Sequence, residues 1–174
     1  MDLAEHQRQL RNLIAGRNGD QWPVDPHIRD VALSKGLRLA REVIHLWQVS
    51  RIERYCVLTS RLLKQRGTFD EVVRRFAASS AVSPFTEILG RTFLAQGVAD
   101  ADPLVAALAG FEAAAIAVRQ TGSGTFVIEW DRDPQRVLAS VIAGEEPPLP
   151  DPKQRYRTIV SAGLPELYRV ECCG

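Results

Sequence analysis

The chain reads as an α+β protein that is mostly α: a helical bundle over residues 1–120, then a small three-stranded sheet with one helix over 121–174. Three observations carry this reading. Apolar residues recur at helical spacing through most of the first 120 residues. The run Thr125-Phe126-Val127-Ile128-Glu129-Trp130 is rich in β-branched and aromatic residues and follows Gly122-Ser123-Gly124, which marks a strand. Beyond it, Arg155-Tyr156-Arg157-Thr158-Ile159-Val160-Ser161 and Leu167-Tyr168-Arg169-Val170-Glu171 flank a short turn and read as a hairpin. A three-stranded sheet has two edges, and an open edge is where an extended peptide can add a strand.

Residues 2–16 form the first expected helix, with Leu3, Leu10, Leu13 and Ile14 on one side. Asn18-Gly19 breaks it, and Trp22-Pro23-Val24-Asp25-Pro26 is a loop ending in a helix start. The second helix is expected to run to about Val49. Its polar residues Asp30, Ser34, Arg38, Arg41, His45 and Gln48 fall in one narrow stripe among apolar neighbours, the pattern of a helix in the middle of a bundle. Ser50 and Glu53 have the spacing of a capping box, so a third helix is expected to begin there. On it Ile52, Tyr55, Cys56, Thr59, Leu62 and Leu63 share one face and Arg54, Arg61 and Lys64 the other.

Thr68 with Glu71 repeats the capping pattern ahead of Phe69, Val72, Val73 and Phe76. Ser83-Pro84 opens a fifth helix with Phe85, Ile88, Leu89 and Thr92 inward, and residues 97–100 form a loop. Asp102-Pro103 opens a sixth, whose seven alanines between Pro103 and Val118 allow close packing on two sides. Asp133-Pro134 supplies a cap acceptor and the residue suited to the first helical position, and Gly144 stops that helix. Its apolar face, Val137 to Ile142, is expected to cover one face of the sheet.

Composition narrows the function. At 174 residues and 45% hydrophobic, the chain can bury roughly 70% of its unfolded surface without staples. Formal charge is +1, with 15 Lys/Arg against 11 Asp/Glu over residues 1–100 and 7 against 10 over 101–174. No general attraction to nucleic acid or membrane follows. No apolar run approaches the roughly 18 residues of a membrane span, and the first residues do not form a signal peptide. Three cysteines without an export signal lead us to expect a cytoplasmic protein with reduced thiols.

No catalytic constellation emerges. His6, His27 and His45 stand in three different settings, so no metal site is expected. Cys172-Cys173 reads as a frayed tail and Cys56 as core. Gly122-Ser123-Gly124 precedes its strand, whereas a dinucleotide loop follows one and opens a helix. Arg51, Arg54, Arg61 and Lys64 form a basic cluster that is either a solvated helix face or a docking surface for a partner's carboxylates.

With these segments placed, the chain resembles the methanobactin-biosynthesis C proteins, partners of multi-iron TIM-barrel oxidases that modify cysteines of ribosomally made peptides. The matching stretches are Arg54-Tyr55-Cys56-Val57-Leu58-Thr59, Asp102-Pro103-Leu104-Val105 leading to Phe111-Glu112, and Glu129-Trp130 followed by Asp133-Pro134 and Val137-Leu138. The last is Tyr156-Arg157-Thr158-Ile159-Val160-Ser161 continuing through Leu164-Pro165-Glu166-Leu167-Tyr168-Arg169-Val170. The resemblance implies a noncatalytic subunit of a heterodimer. Iron is held by the other chain, which converts a precursor cysteine to an oxazolone and neighbouring thioamide with dioxygen. It also implies a C-terminal region similar to winged-helix-like elements that capture leader peptides. The expected peptide-binding residues are Arg155, Tyr156, Arg157, Thr158, Ile159, Val160, Tyr168 and Arg169. A winged-helix DNA-binding regulator shares these features, but the sheet half is net acidic and residues 134–143 hold only Arg136 as a cation. A plain helical scaffold is the third reading.

Overall fold

Asp102-Pro103 and Asp133-Pro134 each start a helix, and the two helices they start hold the two halves of the fold together. In the computed structural model, which describes residues 3–14, 26–79, 83–98 and 102–173, the elements follow the mostly α pattern. They are α1 (Leu3–Ile14), α2 (Pro26–Leu33), α3 (Lys35–Tyr55), α4 (Val57–Gln65), α5 (Phe69–Ser79), α6 (Thr86–Thr92) and a π-helical turn (Phe93–Gly97). Then come α7 (Pro103–Thr121), β1 (Thr125–Trp130), α8 (Pro134–Ala143), β2 (Arg155–Ser161) and β3 (Tyr168–Cys173). The loop read at Asn18-Gly19 and residues 22–25 lies outside the described residues, as do residues 99 and 100 of the loop after Gly97.

Asp102 accepts from the Leu104 and Val105 amides, Asp133 from those of Gln135 and Arg136, and α7 and α8 end on left-handed glycines, Gly122 and Gly144. These caps use donors and acceptors that a helix end leaves free. Elsewhere the elements depart from the expected ones. Ser34 ends the expected second helix early, because its side chain caps a new one by accepting from Leu37. The Ser50–Glu53 pattern starts nothing: α3 runs through it to Tyr55, and Glu53 instead pairs with Lys64 at 2.6 Å.

The break falls at Cys56 (φ −106°, ψ 63°). There the Glu112 carboxylate of α7 accepts from the Leu58 and Thr59 amides at 2.8 and 2.9 Å, capping α4 from another helix. The thiol of Cys56 is fully buried and donates to the Gly90 carbonyl, and burial pushes its pKa up. The Thr68 hydroxyl, just ahead of α5, donates back to the Leu63 carbonyl. On α5 the expected residues Phe69, Val72, Val73 and Phe76 are buried.

Two apolar expectations hold only in part. Leu89 is buried as expected, with Gly90 and Phe93, while Phe85 and Ile88 are exposed. On α3 the buried side holds Leu37 and Ile52 together with His45 and Gln48 of the polar stripe, whereas Arg38 of that stripe is exposed and Leu39, Val43 and Leu46 face solvent. His45 bonds Asp70 through Nε2 at 2.7 Å, which makes a polar residue tolerable there. Arg41 donates to the Leu13 carbonyl and ties α3 to α1.

The sheet is antiparallel with order β1-β2-β3. β2 is central, Val127 opposing Ile159 on one side and Arg169 opposing Ile159 on the other. Its inner face (Thr158, Val160, with Trp130 of β1) packs on α7 rather than on α8, as the sequence led us to expect; α8 lies against α4. Phe111 of α7 meets Trp130 and Tyr168 edge-on at 6.2 and 5.2 Å. One hydrophobic cluster runs from Ile52 through α7 to Val137 and Val160, so the core continues across the change from helix to strand near residue 121. By length and apolarity α7 could cross a membrane, yet in the fold it lies between α4 and the sheet.

Thr158 is completely buried and its hydroxyl has no hydrogen-bond partner in the protein. Thr158→Val is therefore expected to raise stability by about 1 kcal/mol, since an unpaired buried hydroxyl costs more than a methyl. Thermal unfolding checks this; a lower melting temperature would mean that the hydroxyl is satisfied by buried water.

A candidate peptide groove at the free edge of strand β1

The helix α7 presents Gly110, Ala113, Ala114 and Ala117 at positions i, i+3, i+4 and i+7, a single face of small residues. Instead of drawing in another helix, part of this face floors a groove of about 820 Å³. One wall is Phe126, Val127 and Ile128 of β1; the opposite wall is Ile88, Arg91, Thr92, Ala95 and Gln96 of α6 and the π turn, and Tyr55 also lines the groove. Leu94, Ile116, Gln120 and Thr121 complete the lining. Gly110 opens directly onto β1, since a Cβ there would meet Ile128 at 3.8 Å.

The register shows which backbone groups of β1 are free. The Ser161 amide donates to the Leu167 carbonyl at 2.8 Å, so Ser161 faces β3. Because N–H and C=O of a residue point the same way in an antiparallel strand and alternate along it, Val160, Thr158 and Tyr156 face β1. Their partners Phe126, Ile128 and Trp130 are then engaged in the ladder. Thr125, Val127 and Glu129 turn their N–H and C=O groups away from the sheet. On β3 the same alternation leaves Tyr168, Val170 and Cys172 outward.

This geometry corrects the expected peptide-binding strand. Arg155, Tyr156, Arg157, Thr158, Ile159 and Val160 lie on a central strand paired on both sides, and cannot accept an added strand. Thr158 and Val160 are buried beneath the sheet, and Arg157 pairs with Glu129 at 3.7 Å. Tyr168 and Arg169 do lie on an edge strand, where Tyr168 packs on Phe111 and Arg169 pairs with Glu171 at 2.9 Å. Cys172 and Cys173 are paired in β3 opposite Tyr156 and Arg155, which corrects the reading of a frayed tail. Both thiols are exposed.

The basic cluster is dispersed rather than gathered on one helix face. The break at Cys56 puts Arg51 and Arg54 on α3 and Arg61 and Lys64 on α4. Arg51 stacks over Trp47 at 5.1 Å and donates to Thr86. Arg61 reaches the Ile142 carbonyl at 3.4 Å, and Lys64 sits over Phe69 at 5.4 Å while pairing with Glu53. Arg54 is exposed and makes no ion pair within the described residues.

Three polar features give the groove its character. Arg91 is the one charged side chain among the described lining residues. The Tyr55 hydroxyl is buried with Gln120 beside it, and burial pushes its pKa up, opposed in part by Gln120. The free amides and carbonyls of β1 offer hydrogen bonds independent of sequence. Among the described residues no three His, Cys, Asp or Glu side chains cluster as a metal cage. His27's side chain lies outside the description. The groove was missed in the sequence because its signal, Gly110-x-x-Ala113-Ala114-x-x-Ala117, is also the signal for close helix packing.

No family model, curated protein or solved structure matches the chain.

Proposed function

We propose that the chain is the noncatalytic, peptide-presenting subunit of an iron-dependent oxidase that modifies cysteines of a ribosomally made precursor. It captures the precursor's leader as a fourth strand beside β1. The observation that carries this reading is the open edge of β1 running along a groove with a small-residue floor. An added strand lies roughly 4.8 Å from its neighbour, and its alternate side chains then enter the groove. Apolar side chains suit the alanine floor, Phe126 and Ile88. The same reading places iron and the oxidation of cysteine to oxazolone and thioamide in the partner, while this chain holds and orients the peptide.

A disordered leader loses about 2–5 kcal/mol on ordering, which the backbone bonds to Thr125, Val127 and Glu129 offset. A nucleic-acid reading has less support: α8 buries Val137, Leu138 and Val141 against the bundle and offers Arg136 alone for phosphate.

Proline substitution separates backbone pairing from side-chain contact. Val127→Pro removes an outward N–H from an edge strand, where proline is tolerated, and Ile128→Pro removes a donor to β2. With a fluorescein-labelled synthetic leader peptide of such a precursor, Val127→Pro is expected to keep the melting temperature and weaken binding at least about tenfold. Ile128→Pro is expected to destabilise the sheet. A folded Val127→Pro variant that binds the leader like the parent would remove β1 as the site.

A further inference from the structure

We infer that the chain self-associates in solution through α3, as an antiparallel two-fold pair, independently of any peptide bound at β1. Leu39, Val43 and Leu46 recur at i, i+4 and i+7 and are 67, 56 and 63% exposed, whereas His45 and Gln48 on the opposite side are 6 and 7% exposed. The helix buries Leu37, His45, Gln48 and Ile52 and leaves an apolar stripe on its opposite side in water. From Gly36 to Ser50 the centre of the stripe holds no charged residue. A monomer gains nothing from such a row, and a contiguous exposed apolar strip marks a contact surface.

The stripe is complementary to itself in shape and in charge. Beside Leu39, its N-terminal half carries the small residues Gly36 and Ala40, and its C-terminal half carries the bulky Leu46. An antiparallel axis near Val43 sets small residues of one copy against large residues of the other, while a parallel pair would oppose small to small. Lys35 and Glu53 lie on one flank eighteen residues apart, which is five turns of helix. The same axis therefore brings Lys35 of each copy towards Glu53 of the other, twice. Glu53 is half exposed and also holds Lys64 at 2.6 Å, and its two carboxylate oxygens can accept from both lysines.

One helix pair covers less than the roughly 800 Å² per partner of a standard interface, so the dimer is weak and builds up at about 10–100 µM. Sedimentation velocity on the full chain, in reductant to prevent disulfides through Cys172 or Cys173, reads this directly. The mass is expected to rise from 19.3 kDa towards twice that value across this range. Leu46→Glu, at an exposed position, is expected to hold the chain monomeric with unchanged circular dichroism. Lys35→Glu and Glu53→Lys should each weaken the dimer and, combined, restore it. A parent chain that stays monomeric at 100 µM overturns the inference and leaves the stripe for a different protein. A dimer that survives Leu46→Glu overturns it as well, and failure of the double charge swap to restore association overturns the antiparallel arrangement.

Discussion

Replacing Gly90 with alanine is expected to lower the unfolding free energy by about 2–3 kcal/mol, an overpacking cost. The Gly90 position faces Tyr55 where α6 crosses α3, and a Cβ there would fall inside the phenol ring's van der Waals envelope. Even the Tyr55 Cβ would be only 2.9 Å away, so the side chain cannot escape by rotating its ring. The Cys56 thiol donates to the Gly90 carbonyl at the same crossing, which fixes the two helices at close range. Because Tyr55 lines the groove, the substitution should also weaken leader binding. Urea unfolding of Gly90→Ala, Tyr55→Ala and the double variant measures the coupling. The double variant should cost clearly less than the sum of the two single variants. Additive costs, or an unchanged midpoint for Gly90→Ala, would show that the crossing has room to spare.

Glu112 carries the second large effect. Its carboxylate is buried and accepts the first free amides of α4, at Leu58 and Thr59, which no side chain of Cys56 caps. Glu112→Ala leaves both donors without that acceptor in a buried setting and is expected to cost about 3 kcal/mol. Glu112→Gln retains one acceptor oxygen and should cost less. Burial raises the Glu112 pKa above its ordinary 4.5, opposed in part by those amides. The folded state therefore holds the proton more tightly than the unfolded chain does. The stabilisation from protonation is fully present below the unfolded value and is lost as pH rises through the folded one. The stability of the parent relative to Glu112→Gln should accordingly fall as pH rises above 4.5 and then level off. A relative stability that climbs with pH over that window would mean that the amides outweigh desolvation.

What was legible in the sequence is what local chemistry decides. The aspartate–proline starts of α7 and α8, their glycine stops, the apolar face of α5 and the three strands all appear where their residues place them. The errors fall where a distant group decides. Ser50 and Glu53 mimic a helix start, but the cap that breaks the chain at Cys56 is Glu112, more than fifty residues away. Periodicity locates a stripe on α3 without saying which side is buried; Asp70 and Leu13 choose the side of His45 and Arg41 by accepting from them. Strand identity was readable, strand order was not, because alternation along β2 fits a central or an edge position equally well. That single ambiguity moved the candidate site from β2 to β1.

Amide hydrogen exchange with and without the synthetic leader tests the central claim most directly, because it reads backbone pairing residue by residue. Strand addition at β1 should slow exchange at Thr125, Val127 and Glu129, the amides turned away from β2, with Tyr168, Val170 and Cys172 on the other edge unchanged. Protection confined to the β3 amides, or leader binding that leaves all six unchanged, would contradict the account.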